Sequence, residues 1–332
     1  MNIFLWHVHG AWTTSFLHGG HQYFVPVTAD RGPEGRGRAM TYDWPDTTVE
    51  VTRDRARDLP IDVVVMQRPE ELNGLAAAWL GGRRPGTDLP AIYLEHNAPQ
   101  GRIADMRHAA ADRPDLLLVH VTHFNDIFWD AGSTPTRVIE HGIVDPGLRY
   151  TGELARGVAV INEPVRRGRV TGTDLLERFS AAAPIDLFGI DAGSLGGTDL
   201  PQARLHEEMA RRRVYLHPVR WTSLGLSLIE AMHLGMPVVA LATTEVADAV
   251  PQSAGAISTN VARLVDEMRG LMADPDAARE AGKAARNYAR YRFALERFLL
   301  DWDRALEAVA GLRSRRAGST KSNSPPLPKG AR

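Results

Sequence analysis

The residues between Arg220 and Val250, RWTSLGLSLIEAMHLGMPVVALATTEVADAV, have the types and spacing of an anion-binding turn. Gly225 precedes an apolar run with helical spacing that begins near Leu226, and residues 237–241 read as the buried strand that follows. The start of a helix has unpaired N–H groups and the positive end of a dipole, so it can hold a phosphate. A glycine at that point lets a ligand come close to the backbone. Glu230 lies about one turn further along, set back from such an anion and placed to accept hydrogen bonds from hydroxyls such as those of a ribose. The same pattern also fits an ordinary loop–helix–strand unit of an α/β domain.

Two other groups of residues could do chemistry. Arg166, Arg167 and Arg169 follow a predicted strand at 158–162. Turned inward they would make a strong anion site, and turned outward a solvated loop. His96, flanked by Glu95 and Asn97, ends a strand at 91–95, although with twelve histidines in the chain no single one stands out by type alone. In the loop His7-Val8-His9-Gly10-Ala11-Trp12-Thr13-Thr14, Gly10 and the N–H groups near Thr13 could meet a ligand, or Thr13 or Thr14 could simply cap a helix. His7 and His9, like His120 and His123, have no carboxylate partner at ligand spacing, so no metal site is expected. Nucleophile-elbow and P-loop patterns are missing from the sequence.

The elements that must position these residues alternate strand and helix, which predicts parallel sheets with crossover helices. Strands are expected at 2–8, 22–27, 62–67, 91–95, 116–121 and 137–139, with helices at 70–80 and 125–130 and a loop at 28–38. A second series has strands at 158–162, 185–189, 214–218 and 237–241, with helices at 175–182, 202–212, 226–234 and 260–273. Helices at 276–291 and 293–310 close the chain, the latter with Trp302 and Leu306 on its packed face. The Pro- and Gly-rich stretch near 145–157 divides the series, so that two doubly wound halves face each other across a cleft.

At 332 residues the chain is long enough for two domains, and 44% hydrophobic with 24% charged residues is a globular composition. A net charge of −1 gives no overall attraction to nucleic acid. The absence of cysteine removes disulfides, thiolate metal sites and cysteine nucleophiles, and fits a reducing, cytoplasmic setting. Only Lys283, Lys321 and Lys329 are lysines, so a phosphate clamp in the folded body must use arginine and backbone N–H groups. No stretch reaches the roughly 18 apolar residues of a membrane helix, which leaves surface contact with a membrane open.

The 220–250 segment resembles the donor-binding signature of glycosyltransferase family 4, a group of retaining GT-B enzymes. Gly225-Leu226-Ser227-Leu228, Glu230-Ala231-Met232, Gly235 and Pro237 to Ala240 match in place. Two departures stand out. The first acidic position of the family's E-x7-E pattern is Thr222, and the usual Gly-Gly pair falls on Thr244-Glu245, with Asp248 after it. The match is weaker elsewhere: Gly20-His21 resembles the family's Gly-His step, and the first-strand loop lacks its Gly-Gly pair. With Gly172 aligned to the Gly-Arg-x4-Lys-Gly pattern, Arg166 takes the arginine place and Thr171 the lysine place, with Arg169 as a substitute cation.

The resemblance implies a GT-B-like fold of two Rossmann-type domains. Residues 1–150 would form the acceptor side, 151–292 the nucleotide-sugar side and 293–312 a helix packing back on the first domain, and 313–332 a disordered basic tail. It implies metal-independent transfer of a sugar from a nucleotide-diphosphate sugar to a small molecule or glycan, with retention and without further cofactor. Leu224, Gly225, Leu226 and Ser227 would meet the diphosphate together with Arg166 and Arg169. Glu230 would hold the ribose, and His96 would orient sugar or acceptor. Because the sugar side departs from the pattern, a non-catalytic nucleotide-sugar binder and a sugar-nucleotide isomerase on the same fold stand as alternatives.

Overall fold

The computed structural model describes residues 1–320, with side chains described to residue 311. Among the described residues, twelve strands form two parallel sheets. The first contains β1 (Asn2–Leu5), β2 (Gln22–Pro26), β3 (Thr48–Val51), β4 (Val63–Met66), β5 (Ala91–Glu95), β6 (Leu117–His120) and β7 (Thr136–Val138), in the order β3-β2-β1-β4-β5-β6-β7. The second contains β8 (Leu154–Val160), β9 (Ile185–Phe188), β10 (Arg212–His217), β11 (Val238–Leu241) and β12 (Gly255–Ser258), in the order β12-β11-β10-β8-β9. Central strands such as Val63-Val64-Val65-Met66 are buried at every residue, because helices cover both faces of the sheet.

The order reverses between β1 and β4 in the first sheet, and between β8 and β10 in the second. Ligand crevices form beyond the carboxyl ends of strands at such points. Here the ends of β1, β4 and β5 lead into His7–His9, Gln67 and His96, and the ends of β8 and β10 lead into Arg167 and the Thr222–Gly225 turn.

The final helix, Leu295–Thr320, joins the core of the first domain although it follows the second in the chain. Trp302 is 1% exposed, with its ring 5.5 Å from Trp12 and 4.9 Å from Phe16. At the crossing, a Cβ on Gly142 would lie 2.3 Å from that of Phe298, so only glycine admits the helix there. The helix runs to Thr320, past the expected boundary at 312. The remaining tail, 321–332, lies outside the described residues.

Other expectations also change. The helix foreseen at 70–80 is a wide turn over Glu71–Leu75 followed by a short helix, Ala76–Trp79, broken where Gly74 takes φ 128°. The arginine stretch, left open between an inward anion site and a solvated loop, is a helix, Pro164–Thr171, kinked at Gly168. Strands β3 and β12 were not foreseen. Both are four-residue sheet edges with partly exposed side chains, so neither carries an apolar run.

Candidate functional site

A cleft of about 710 Å³ lies between the domains, and a second cavity of about 460 Å³ adjoins it. His9, Arg167, Thr222 and Leu226 line both, so the two spaces are compartments of one site.

The wall from the second domain is built by the glycine turn. Gly225 is the N-cap of the helix Leu226–Leu234, which has no side-chain cap, and its first intrahelical donor to Gly225 is the Leu228 amide. The amides of Leu226 and Ser227 are therefore left for a ligand. A Cβ on Gly225 would sit 2.8 Å from Cε1 of the buried His217, which fixes glycine at that place. The Ser227 hydroxyl is paired with the Tyr215 hydroxyl at 2.9 Å. Glu230, 6% exposed, lines the main cleft, accepts a hydrogen bond from Gln202 at 3.0 Å and lies 3.4 Å from His206. Leu224 lines the second cavity.

The three arginines around the Gly168 kink face different ways: Arg167, with Thr171, lines the main cleft. Arg166 and Val170 line the second cavity, where Arg166 is held by Glu163 at 2.8 Å. Arg169 lies on neither wall and pairs with Asp174 at 3.2 Å, so it does not stand in for a lysine at the cleft. The sequence names Arg167 only as one of three candidate arginines, and the resemblance points to Arg166 and Arg169 instead. Which way each side chain turns depends on the helix and its kink. The Arg167 side chain is half-buried and has no hydrogen bond or ion pair among the described residues. Desolvation, then the charge of Arg166, holds its pKa below the usual value.

The wall from the first domain is lined with imidazoles. His96 Nε2 is 2.9 Å from Gln67 Oε1, while Gln67 Nε2 donates to Trp6 O at 2.8 Å. That fixes the amide with Oε1 as acceptor, so His96 carries its proton on Nε2 and leaves Nδ1 free to accept. Burial, then the neighbouring His9 and His141, pushes its pKa well down. The His9 ring is 4.1 Å from that of His96, and burial lowers its pKa to about 4. His141 is 3% exposed, lines the second cavity, and is lowered to about 3 by burial. These rings are neutral acceptors near neutral pH. Among the described residues no three His, Cys, Asp or Glu side chains come together as metal ligands.

Of the neighbours of His96, Glu95 is occupied elsewhere, accepting from the Asn97 amide at 2.6 Å and from His108 at 2.9 Å, while Asn97 is exposed on the second cavity. The segment between β2 and β3 was read in part as a plain loop, but it folds over the main cleft and contributes Arg36, Thr41 and Tyr42. Tyr42 is raised to about 12 by burial and by the charge of Glu230.

The departures from the signature have distinct structural places. Thr222 lines both cavities with a neutral side chain. Thr244 has φ 52°, a left-handed conformation that a β-branched residue rarely takes. Glu245 lines neither cavity. It is 4% exposed, accepts from the Phe124 amide of the first domain at 2.8 Å and lies 3.4 Å from Arg292, which also binds Glu140 and Asp248. Burial raises its pKa. Trp221 makes a second bridge, donating to Pro99 O at 2.8 Å and meeting the Phe124 ring at 5.1 Å.

Residues 197–288 match the family described as glycosyl transferases group 1. No curated protein matches the chain. Among solved structures, sucrose-phosphate synthase (tll1590) from Thermosynechococcus elongatus superposes with a TM-score of 0.67 at 14% identity, covering 94% of this chain and 100% of that one. Anabaena Alr3699/HepE in complex with UDP-glucose gives 0.68 at 14% identity, covering 93% and 100%. A glycosyltransferase from Rickettsia africae ESF-5 gives 0.62 at 12% identity, covering 93% and 98%. The chain thus has the two-domain GT-B-like fold, and over residues 197–288 it is similar to the glycosyl transferases group 1.

Proposed function

We propose that the protein is a retaining, metal-independent glycosyltransferase that moves a sugar from a nucleotide-diphosphate sugar to an acceptor bound against the first domain. The observation that carries this reading is that one cleft is lined by the free amides of Leu226 and Ser227, the unpaired Arg167 and the buried Glu230. The HepE structure, a complex with UDP-glucose on the same fold, supports it. Glu230 takes the ribose hydroxyls, with Gln202 holding one carboxylate oxygen in place. The diphosphate lies at the helix N-terminus within reach of Arg167, with Arg166 behind it. As the bond from the sugar to the diphosphate breaks, charge collects on the leaving oxygens. Arginine and oriented amides that already point there stabilise that charge without reorganising. The acceptor oxygen then bonds to the anomeric carbon on the face the diphosphate leaves, and its proton passes to the departing phosphate oxygen on that same face. His96, accepting at Nδ1, orients a hydroxyl of sugar or acceptor.

A second reading, a nucleotide-sugar binder without transfer, draws on Thr222 and on Glu245, which ties the domains together and does not line the cleft. Calorimetric titration with UDP, GDP, ADP and dTDP, repeated on Glu230→Ala, tests what the two readings share. Binding of one nucleotide, lost in the variant, supports the donor site, and no binding at millimolar concentration removes it. Release of sugar from the matching donor, with and without acceptors, then separates transfer from binding alone.

A further inference from the structure

Arg36 lines the main cleft from the first domain, opposite the wall that carries Arg167 and the Leu226–Leu234 helix. The backbone on both sides of it is tied down. Trp6 Nε1 donates to Glu34 O at 3.0 Å, and Arg31 donates to Arg36 O at 3.1 Å. The Gly37 amide donates to Pro26 O at 2.9 Å, His7 Nδ1 donates to Gly37 O at 3.1 Å, and the Arg38 amide donates to Glu50 at 2.7 Å. The Arg36 guanidinium makes neither a hydrogen bond nor an ion pair among the described residues. A pinned backbone thus presents a free cation to the cleft.

Among the described residues no carboxylate is within ion-pair distance of that guanidinium. The cleft has two carboxylates, Asp199 and Glu230, both on the second domain. Glu230 is engaged by Gln202, and neither is within ion-pair distance of Arg36. The second cavity has one carboxylate, Glu163, which Arg166 holds. His7 and His9 feel the Arg36 charge: burial lowers both first, the Gly37 carbonyl opposes this at His7 and the Glu95 charge at His9, and this cation lowers both further. Arg36 comes from the first domain, whereas the helix N-terminus and Arg167 that would hold the diphosphate come from the second. Arg36 is exposed at the rim of the cleft, and a free guanidinium there is matched by a planar or tetrahedral oxyanion.

Resting on the nucleotide-sugar reading above, we infer that the substrate beyond the diphosphate carries a carboxylate or a phosphate, and that Arg36 receives it beside His9. The anion has two sources, the donor sugar and the acceptor. The test uses Arg36→Gln, which keeps a planar hydrogen-bonding side chain without the charge and removes no hydrogen bond or ion pair among the described residues. Calorimetry compares UDP-glucose with UDP-glucuronate. In a second arm, with UDP bound, it compares glucose with glucose 6-phosphate and glucuronate. Where the nucleotide titration selects guanosine, GDP-mannose and GDP-mannuronate replace the uridine pair.

The expected result is an anionic member binding about tenfold or more tightly than its neutral counterpart, as a charged hydrogen bond would give. In Arg36→Gln that advantage falls to about threefold or less while affinity for the bare nucleotide stays within about twofold. An advantage in the first arm assigns the anion to the donor, and in the second arm to the acceptor. Equal binding of neutral and anionic members, or an advantage that survives in Arg36→Gln, overturns the inference and leaves the donor site standing. No nucleotide binding by the unaltered protein overturns both.

Discussion

At the scale of single residues, the arginines show how little residue type decides without direction. Arg166, Arg167 and Arg169 are chemically the same and lie within four positions, yet one is held by Glu163, one faces the cleft unpaired and one pairs with Asp174 on the outside. Arg167→Ala is therefore expected to weaken nucleotide-diphosphate binding by about tenfold or more, the size of a lost charged hydrogen bond. Arg169→Ala should leave it within about twofold, since exposed pairs contribute little. Equal effects of the two substitutions in calorimetry would contradict the placing of Arg167 on the cleft and Arg169 outside it. His96 was legible as a strand-end histidine, but its tautomer was not. That depends on Gln67, which comes from another strand end.

At the scale of elements, the loop after β11 has exchanged flexibility for a tie between domains. Thr244 holds a left-handed backbone that glycine would take without strain. Thr244→Gly is expected to raise stability by about 0.5–1 kcal/mol, the relief of strain being partly offset by the extra freedom of glycine in the unfolded chain. A rise in the urea midpoint at unchanged slope checks it. Glu245→Ala should act in the opposite direction. It leaves the Phe124 amide without its partner and Arg292 with one acidic neighbour fewer, a loss of about 1–3 kcal/mol read in the same titration. The sequence showed that the usual glycines were replaced. It could not show that the replacement turns away from the cleft, because that depends on where the first domain places Phe124.

At the scale of the molecule, buried histidines set the response to acid. Burial lowers His120 and His217 to about 4 and His141 to about 3, from an ordinary 6.5. The folded state therefore binds fewer protons than the unfolded one. Their contribution is complete above the unfolded value and is lost as pH falls from about 6.5 toward 4. Each histidine adds up to about 1.4 kcal/mol per pH unit to the slope of stability within that window. Glu71 and Glu245, raised by burial, act with the opposite sign, but they are fewer. Denaturant midpoints measured from pH 7 to 4.5 should fall steadily, and a flat profile would contradict the placing of these rings. Trp302→Ala, which opens a cavity against Trp12 and Phe16, is expected to destabilise the first domain by about 3–5 kcal/mol.

What the sequence by itself determined were the features that depend on neighbours in the chain. Apolar runs such as 63–66 set the central strands, and Gly225 with the apolar turns after it set the helix start and the depth of Glu230. The half-exposed edge strands β3 and β12 lacked that signal. Only the tertiary structure decided which side chains share a space. His9, His96 and His141 come from three strand ends, Arg36 comes from a segment folded over the cleft, and Arg167 comes from the facing domain. The pattern along the chain encodes periodicity and caps. A site assembled across two sheets depends on how those sheets pack, and that is fixed by contacts between residues far apart in sequence.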